Sequence, residues 1–168
     1  MILSGIKHKG IPVALLFIFA GLSSPVLSQS KSFVQKYAAL AHSLSETYGI
    51  PSSVILAIAI VESSSGTSRN CKLLNNFFGI VGKNNLLKSK GVRTRYKQYT
   101  SDTASFTDFC KLIARKRFYA KLKGSKNHTD WVVAISKAGY SEVPETWKQR
   151  ILATIKKNHL YPPVNHPL

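Results

Sequence analysis

Acidic residues are scarce in this chain: Asp and Glu together number 7 against 24 Lys and Arg in 168 residues. They are Glu46, Glu62, Asp102, Asp108, Asp130, Glu142 and Glu145. A formal net charge of +17 selects for polyanionic neighbours such as wall polymer, phospholipid headgroups or nucleic acid. The basic residues are spread along the chain, and there is no zinc-finger spacing, RNP motif or basic heptad region, so no specific nucleic-acid readout is expected. The histidines (His8, His42, His128, His159 and His166) show no metal-site spacing, and neither a serine elbow nor a phosphate loop is present. No cofactor and no metal is called for.

A long hydrophobic run is also missing. The apolar stretch Ile11 to Leu22 is too short to span a bilayer comfortably. Lys7 and Lys9 precede it and Val26-Leu27-Ser28 follows, which is the layout of a secretory signal over residues 1–28, cleaved after Ser28. Absence of a cysteine after the run argues against a lipoprotein. The mature protein is therefore expected to be exported, periplasmic or secreted and wall-associated, without a transmembrane span. Losing Lys7 and Lys9 lowers the charge to +15 (17 − 2).

There are only two cysteines, Cys71 and Cys110, both in the exported part. An oxidising compartment permits a bridge contributing roughly 3–4 kcal/mol. Alternatively, Cys110, lying among Phe109, Leu112 and Ile113, serves as a small apolar residue. Both readings stay open.

What remains has room for one domain, residues 31–160, followed by an extended or disordered tail, 161–168, that begins Tyr161-Pro162-Pro163. A monomer is expected. Phe33, Val34, Tyr37, Ala38, Ala41 and Leu44 fall at helical spacing, and Gly49 is placed to end that helix. Pro51 suits the first turn of the next helix. From Val54 to Val61 that helix is apolar on every side, which demands burial all round. Residues 67–99 carry short β-prone stretches, Phe78 to Val81 and Val92 to Tyr99, with turn residues between them, and predict a small hairpin or three-stranded sheet. Thr100, Ser101 and Asp102 offer capping oxygens for a helix with a Phe106, Phe109, Cys110, Ile113 stripe, and two more helices are predicted near 129–138 and 145–158. The sum is an α+β domain: a mostly helical lobe around a central buried helix, with a small β-hairpin lobe flanking a cleft.

Among the acids, Glu62 stands apart because it follows directly on the buried helix. A carboxyl there loses water and sits near the negative helix end, and both effects favour its protonated form. A glycosidase acid requires this, since it must hold its proton until substrate arrives.

The surroundings of Glu62 read V-E-S-S-S-G-T-S (Val61 to Ser68), followed by N-N-F-F-G-I (Asn75 to Ile80). Upstream lies Tyr48-Gly49-Ile50-Pro51-Ser52, and downstream A-G-Y (Ala138 to Tyr140) with Pro144. This ordered set resembles the peptidoglycan endo-β-N-acetylglucosaminidase family, the flagellar and autolysin-type glucosaminidase domains like those of glycoside hydrolase family 73. The resemblance implies a lysozyme-like fold and hydrolysis of the β-1,4 bond after N-acetylglucosamine in peptidoglycan glycan strands. It carries Glu62 over as general acid and Tyr140 as a hydroxyl that positions water or the acetamido group. Asn76, Phe78 and Gly79 are carried over as cleft-lining residues, and Tyr99 joins them as a substrate-binding aromatic. Tyr96, Trp131 and Trp147 are further aromatics for a sugar face or, more simply, for core and groove wall.

The chain departs from the family pattern in two places. Many members have Gly-Trp where Ser64-Ser65 stands here, and no acid occurs between Glu62 and Asp102, so a paired carboxylate from the β-lobe is absent. Substrate assistance by the N-acetyl oxygen would answer that absence. Asp102 is a second-acid candidate but is accounted for as a helix cap. Two rival readings remain: a lytic transglycosylase-like muramidase, and a lysozyme-like domain that binds wall without cutting it.

Overall fold

The computed structural model describes residues 25–161; most of the expected signal segment 1–28, and the tail beyond Tyr161, lie outside the described residues. Eight helices make up this part: α1 (Pro25–Tyr48), α2 (Ser52–Ser63), α3 (Arg69–Leu74), α4 (Leu86–Lys90), α5 (Asp102–Ala114), α6 (Tyr119–Leu122), α7 (His128–Lys137) and α8 (Pro144–Lys157). None is long and apolar enough to cross a membrane.

The apolar run becomes the central element as expected. Val54 to Ile60 of α2 are all buried, and the helix packs against α1, α7 and α8. Amphipathic α1 turns Phe33, Tyr37, Ala41 and Leu44 inward. Trp147, Ile151 and Ile155, spaced at four, form the buried face of α8. Pro51 falls one residue earlier than expected, at the N-cap of α2. Ser101 caps α5, its hydroxyl accepting from the Ala104 N–H, and Asp102 lies in the first turn instead. The cap expected of Asp102 is thus supplied by its neighbour.

The predicted β-hairpin lobe is absent. Among the described residues there is no strand, only one isolated antiparallel bridge between Val81 and Tyr96. The two segments do run together, through Gly82 N–H to Arg95 C=O (3.0 Å) and Lys97 N–H to Ile80 C=O (2.8 Å). Asparagine side chains intervene where a ladder would continue. The Asn84 amide donates to the carbonyls of Thr94 (3.0 Å) and Tyr96 (2.9 Å), and the Asn76 amide to those of Ile80 and Lys97 (both 2.8 Å). Such side-chain bonds compete with backbone pairing. Between the segments, Asn84 Oδ1 accepts from the Leu86 N–H and Leu86 is buried, so the connection winds into α4.

Both cysteines are free and buried. Burial pushes the Cys71 thiol up to about 11 and that of Cys110 up to about 12, as expected of thiols used as packing groups.

Candidate active site

Glu62 lies in the last turn of α2, and the chain leaves that helix through three consecutive left-handed residues, Ser64 (φ 51°), Ser65 (φ 53°) and Gly66 (φ 81°). The turn is tied down locally. Ser63 donates its hydroxyl to the Ala59 carbonyl (2.6 Å) and accepts from the Gly66 N–H (2.8 Å), and the Ser65 N–H returns to the Ile60 carbonyl (2.9 Å). Left-handed serines are strained, so these bonds hold the end of the helix, and Glu62 with it, in one place.

The carboxyl is half-buried and receives the Trp147 indole N–H at 2.7 Å on Oε1. Burial raises its pKa above the ordinary 4.5, while the indole bond and the Arg150 charge pull it back. The net direction is upward, towards a group that keeps its proton longer than a solvated glutamate.

Gly79 faces the other oxygen. Its φ of 65° is a left-handed conformation open to glycine, and a Cβ built there would stand 3.6 Å from Glu62 Oε2. Tyr140 fixes this segment: its hydroxyl donates to the Phe78 carbonyl at 2.8 Å, and its ring lies 5.3 Å from that of Trp147. Burial, then the nearby charge of Glu62, pushes the Tyr140 phenol well above its ordinary value, so it stays a neutral donor. Phe78 stacks on Phe109 with centroids 4.2 Å apart and planes within 6°.

Glu62 opens into a groove of about 640 Å³. Phe78, Gly79, Val81, Arg95 and Tyr96 line one part of it; Leu112, Lys116 and the loop Gly139 to Val143 line the rest. Val81 and Val143 remain 58% and 61% exposed there, an apolar rim of the kind that suits a sugar face.

Of the residues selected from sequence, Glu62, Tyr140, Phe78 and Gly79 meet in this groove. Asn76 does not line it. Only 1% exposed, it spends its amide on two carbonyls and its Oδ1 on the N–H groups of Phe78 and Ile80. It shapes the loop from behind. Tyr99 also lies elsewhere, buried, with its hydroxyl on Asp108 at 2.8 Å beside a separate depression. Of the further aromatics Tyr96, Trp131 and Trp147, Tyr96 lines the groove. Asp102 is held by Tyr37 (2.6 Å) and Lys36 (3.3 Å) outside the Glu62 groove, and Trp131 is fully buried with its N–H on the Ser125 carbonyl. Sequence reasoning missed Trp147 as the direct partner of Glu62. Its signal was the buried stripe that Trp147 forms with Ile151 and Ile155.

The family model described as mannosyl-glycoprotein endo-beta-N-acetylglucosaminidase matches residues 38–160, nearly all of the domain that builds this groove. The chain belongs to the glucosaminidase family. Among relatives of this glucosaminidase-family chain, the exo-glucosaminidase LytG of Bacillus subtilis is 26% identical over an alignment covering 94% of this chain and 65% of LytG. The peptidoglycan hydrolase FlgJ of Salmonella typhimurium is 25% identical, over 72% of this chain and 44% of FlgJ. The chain thus spans less than two thirds of the length of either relative.

Solved structures agree on the fold, which is that of lysozyme-like glycoside hydrolases. The catalytic domain of the autolysin Auto from Listeria monocytogenes superposes with a TM-score of 0.66 at 23% identity, covering 84% of this chain and 89% of that one. The C-terminally truncated glycoside hydrolase domain of Salmonella typhimurium FlgJ gives 0.63 at 23% identity, covering 79% and 99%.

Proposed function

We propose that this chain hydrolyses peptidoglycan glycan strands outside the cytoplasm, cutting the β-1,4 bond after N-acetylglucosamine with Glu62 as general acid. One observation carries the reading: a half-buried carboxyl, biased towards its protonated form, opens into a groove with an apolar rim. The relatives' names supply the substrate: LytG is a glucosaminidase and FlgJ a peptidoglycan hydrolase.

In this reading a glycan strand lies along the groove with one glycosidic oxygen at Glu62. Glu62 gives that oxygen its proton as the bond to the sugar anomeric carbon breaks. Trp147 then stabilises the carboxylate left behind, because its N–H donates more strongly to a charged acceptor. Gly79 leaves the approach to Oε2 open, and Tyr140 positions the Phe78–Gly79 backbone against the strand. The oxygen of Tyr140 keeps lone pairs that can accept from an acetamido N–H or a water. Arg95 and Lys116 in the groove, and the strongly positive net charge of the chain, draw the enzyme to the anionic wall. Export through residues 1–28 belongs to the same proposal.

Mass spectrometry of purified peptidoglycan digested by the wild type beside Glu62→Gln tests it. New reducing-end N-acetylglucosamine is expected from the wild type and not from the variant. Anhydro-muramic ends would show a transglycosylase instead, and wall retention without cleavage would show a binding domain.

A further inference from the structure

Direct attack by water, as distinct from substrate assistance, needs a second proton carrier. As Glu62 protonates the leaving oxygen, the water that bonds to the anomeric carbon must release a proton. No acid stands between Glu62 and Asp102, so the loop after the glutamate supplies no second carboxyl. All seven acids fall within the described residues, so the surroundings of each are defined.

Five of the seven are accounted for elsewhere. Asp102 is bound by Tyr37 and Lys36, and Asp108 by Lys97 (2.7 Å) and Tyr99 (2.8 Å). Glu145 pairs with Lys148 one turn along α8. Asp130 sits in the first turn of α7, where a carboxylate suits the helix N-terminus. Glu46 lines a different cavity with His42, His128 and His159. Glu142 remains, and it lines the same groove as Glu62.

Its setting is opposite to that of Glu62. Glu142 is exposed, with no hydrogen bond or ion pair among the described residues. It stands on the loop joining α7 to α8, which Gly139 (φ 75°) opens and Tyr140 pins to the Phe78 carbonyl. Ser141 tightens the loop further by accepting from the Val143 N–H at 3.2 Å. An otherwise anchored loop therefore presents one unpartnered carboxylate to the groove. Two carboxyls in one groove, one desolvated and one in water, are suited to opposite roles in proton transfer.

We propose that Glu142 is the general base of the reaction. This rests on the hydrolase reading above. Glu62 gives its proton to the glycosidic oxygen as the bond to the anomeric carbon breaks. A water oxygen bonds to that carbon from the opposite face, and Glu142 takes one of the water's protons. One water is consumed and two hydroxyl ends are formed. The proton on Glu142 then leaves to solvent, and Glu62 regains one. Direct attack by water inverts the configuration, so a β-linked strand gives an α-anomer first. The other ionisable groups lining this groove are Arg95, Tyr96, Lys116 and Tyr140, with Arg150 acting on Glu62.

The test compares wild type, Glu142→Gln, Glu142→Ala and Glu145→Gln on purified peptidoglycan. Glu142→Gln is expected to lower kcat roughly 10²- to 10⁴-fold with little change in KM. It should also remove the acidic limb of the pH–rate profile. Formate should restore activity to Glu142→Ala, and proton NMR of the first wild-type product should show the α-anomer. Glu145→Gln should behave as wild type, and all variants should keep the wild-type Tm. A near-wild-type kcat for Glu142→Gln, or a β-anomer as first product, overturns the proposal. If the wild type cuts and Glu62→Gln does not, the hydrolase reading stands even when Glu142 fails; a wild type that releases no fragments sinks both.

Discussion

The indole N–H of Trp147 meets Oε1 of Glu62 at 2.7 Å, joining two residues 85 positions apart in the chain and linking α8 to the end of α2. The bond opposes desolvation: it favours the ionised carboxylate, whereas burial favours the acid. Trp147→Phe removes the donor and leaves burial less opposed. The alkaline limb of the pH–rate profile should move to higher pH, and kcat should fall because the carboxylate formed in the transition state loses its partner. Truncating this buried ring should also cost roughly 1–3 kcal/mol, measured by denaturant unfolding.

Glu62 works against folding at neutral pH. Its folded pKa is raised above the ordinary 4.5, so the native state binds the proton more tightly than the unfolded chain. Stability from this group is fully present below about 4.5 and is lost as pH rises through the folded value. Glu62→Gln keeps an acceptor for Trp147 without a charge to desolvate. Its Tm should exceed that of the wild type at pH 7, and the gap should close below pH 4.5, while activity is lost.

Tyr140→Phe leaves the Phe78 carbonyl without its donor beside a residue that is 2% exposed. An unpaired buried acceptor costs roughly 1–3 kcal/mol. The denaturant midpoint should drop accordingly. Because the freed backbone borders Glu62, kcat should drop as well, which separates this change from an ordinary loss of packing.

Gly79→Ala has space but the wrong conformation. The new methyl would lie 3.6 Å from Glu62 Oε2 and 3.9 Å from the Tyr96 ring, which is ordinary contact. At φ 65° the cost is backbone strain of roughly 1–2 kcal/mol. Calorimetry should register that loss, and kcat/KM should fall further than unfolding explains, since the methyl narrows the groove at the carboxyl.

Asp108 titrates in the opposite sense to Glu62. Burial alone would raise its pKa, but the hydrogen bonds from Lys97 and Tyr99 and the charges of Lys97 and Arg115 outweigh it, leaving it below 3.8. Its contribution is present above 3.8 and is lost as pH falls through the folded value. Asp108→Asn should flatten the acid end of the stability–pH curve. Wall hydrolysis at pH 7 should be nearly retained, because Asp108 lies outside the Glu62 groove.

The linear sequence determined a good deal of this. Eight apolar residues in a row from Val54 to Val61 had to be a buried helix, because no face of it tolerates water. Glu62 at its end had to be a carboxyl short of solvent, and both follow from adjacent residues. The loop 67–99 was legible only in part. Its β-branched and aromatic residues announced strands, but Asn76 and Asn84 settle the carbonyls by side chain, and that requires knowing which carbonyls lie within reach. The same limit hid the tie between Trp147 and Glu62, and it kept Glu142 from being singled out among seven acids. Local pattern sets which stretches bury themselves; which polar groups then face one another depends on how the helices pack around α2, and only the tertiary structure fixes those distances.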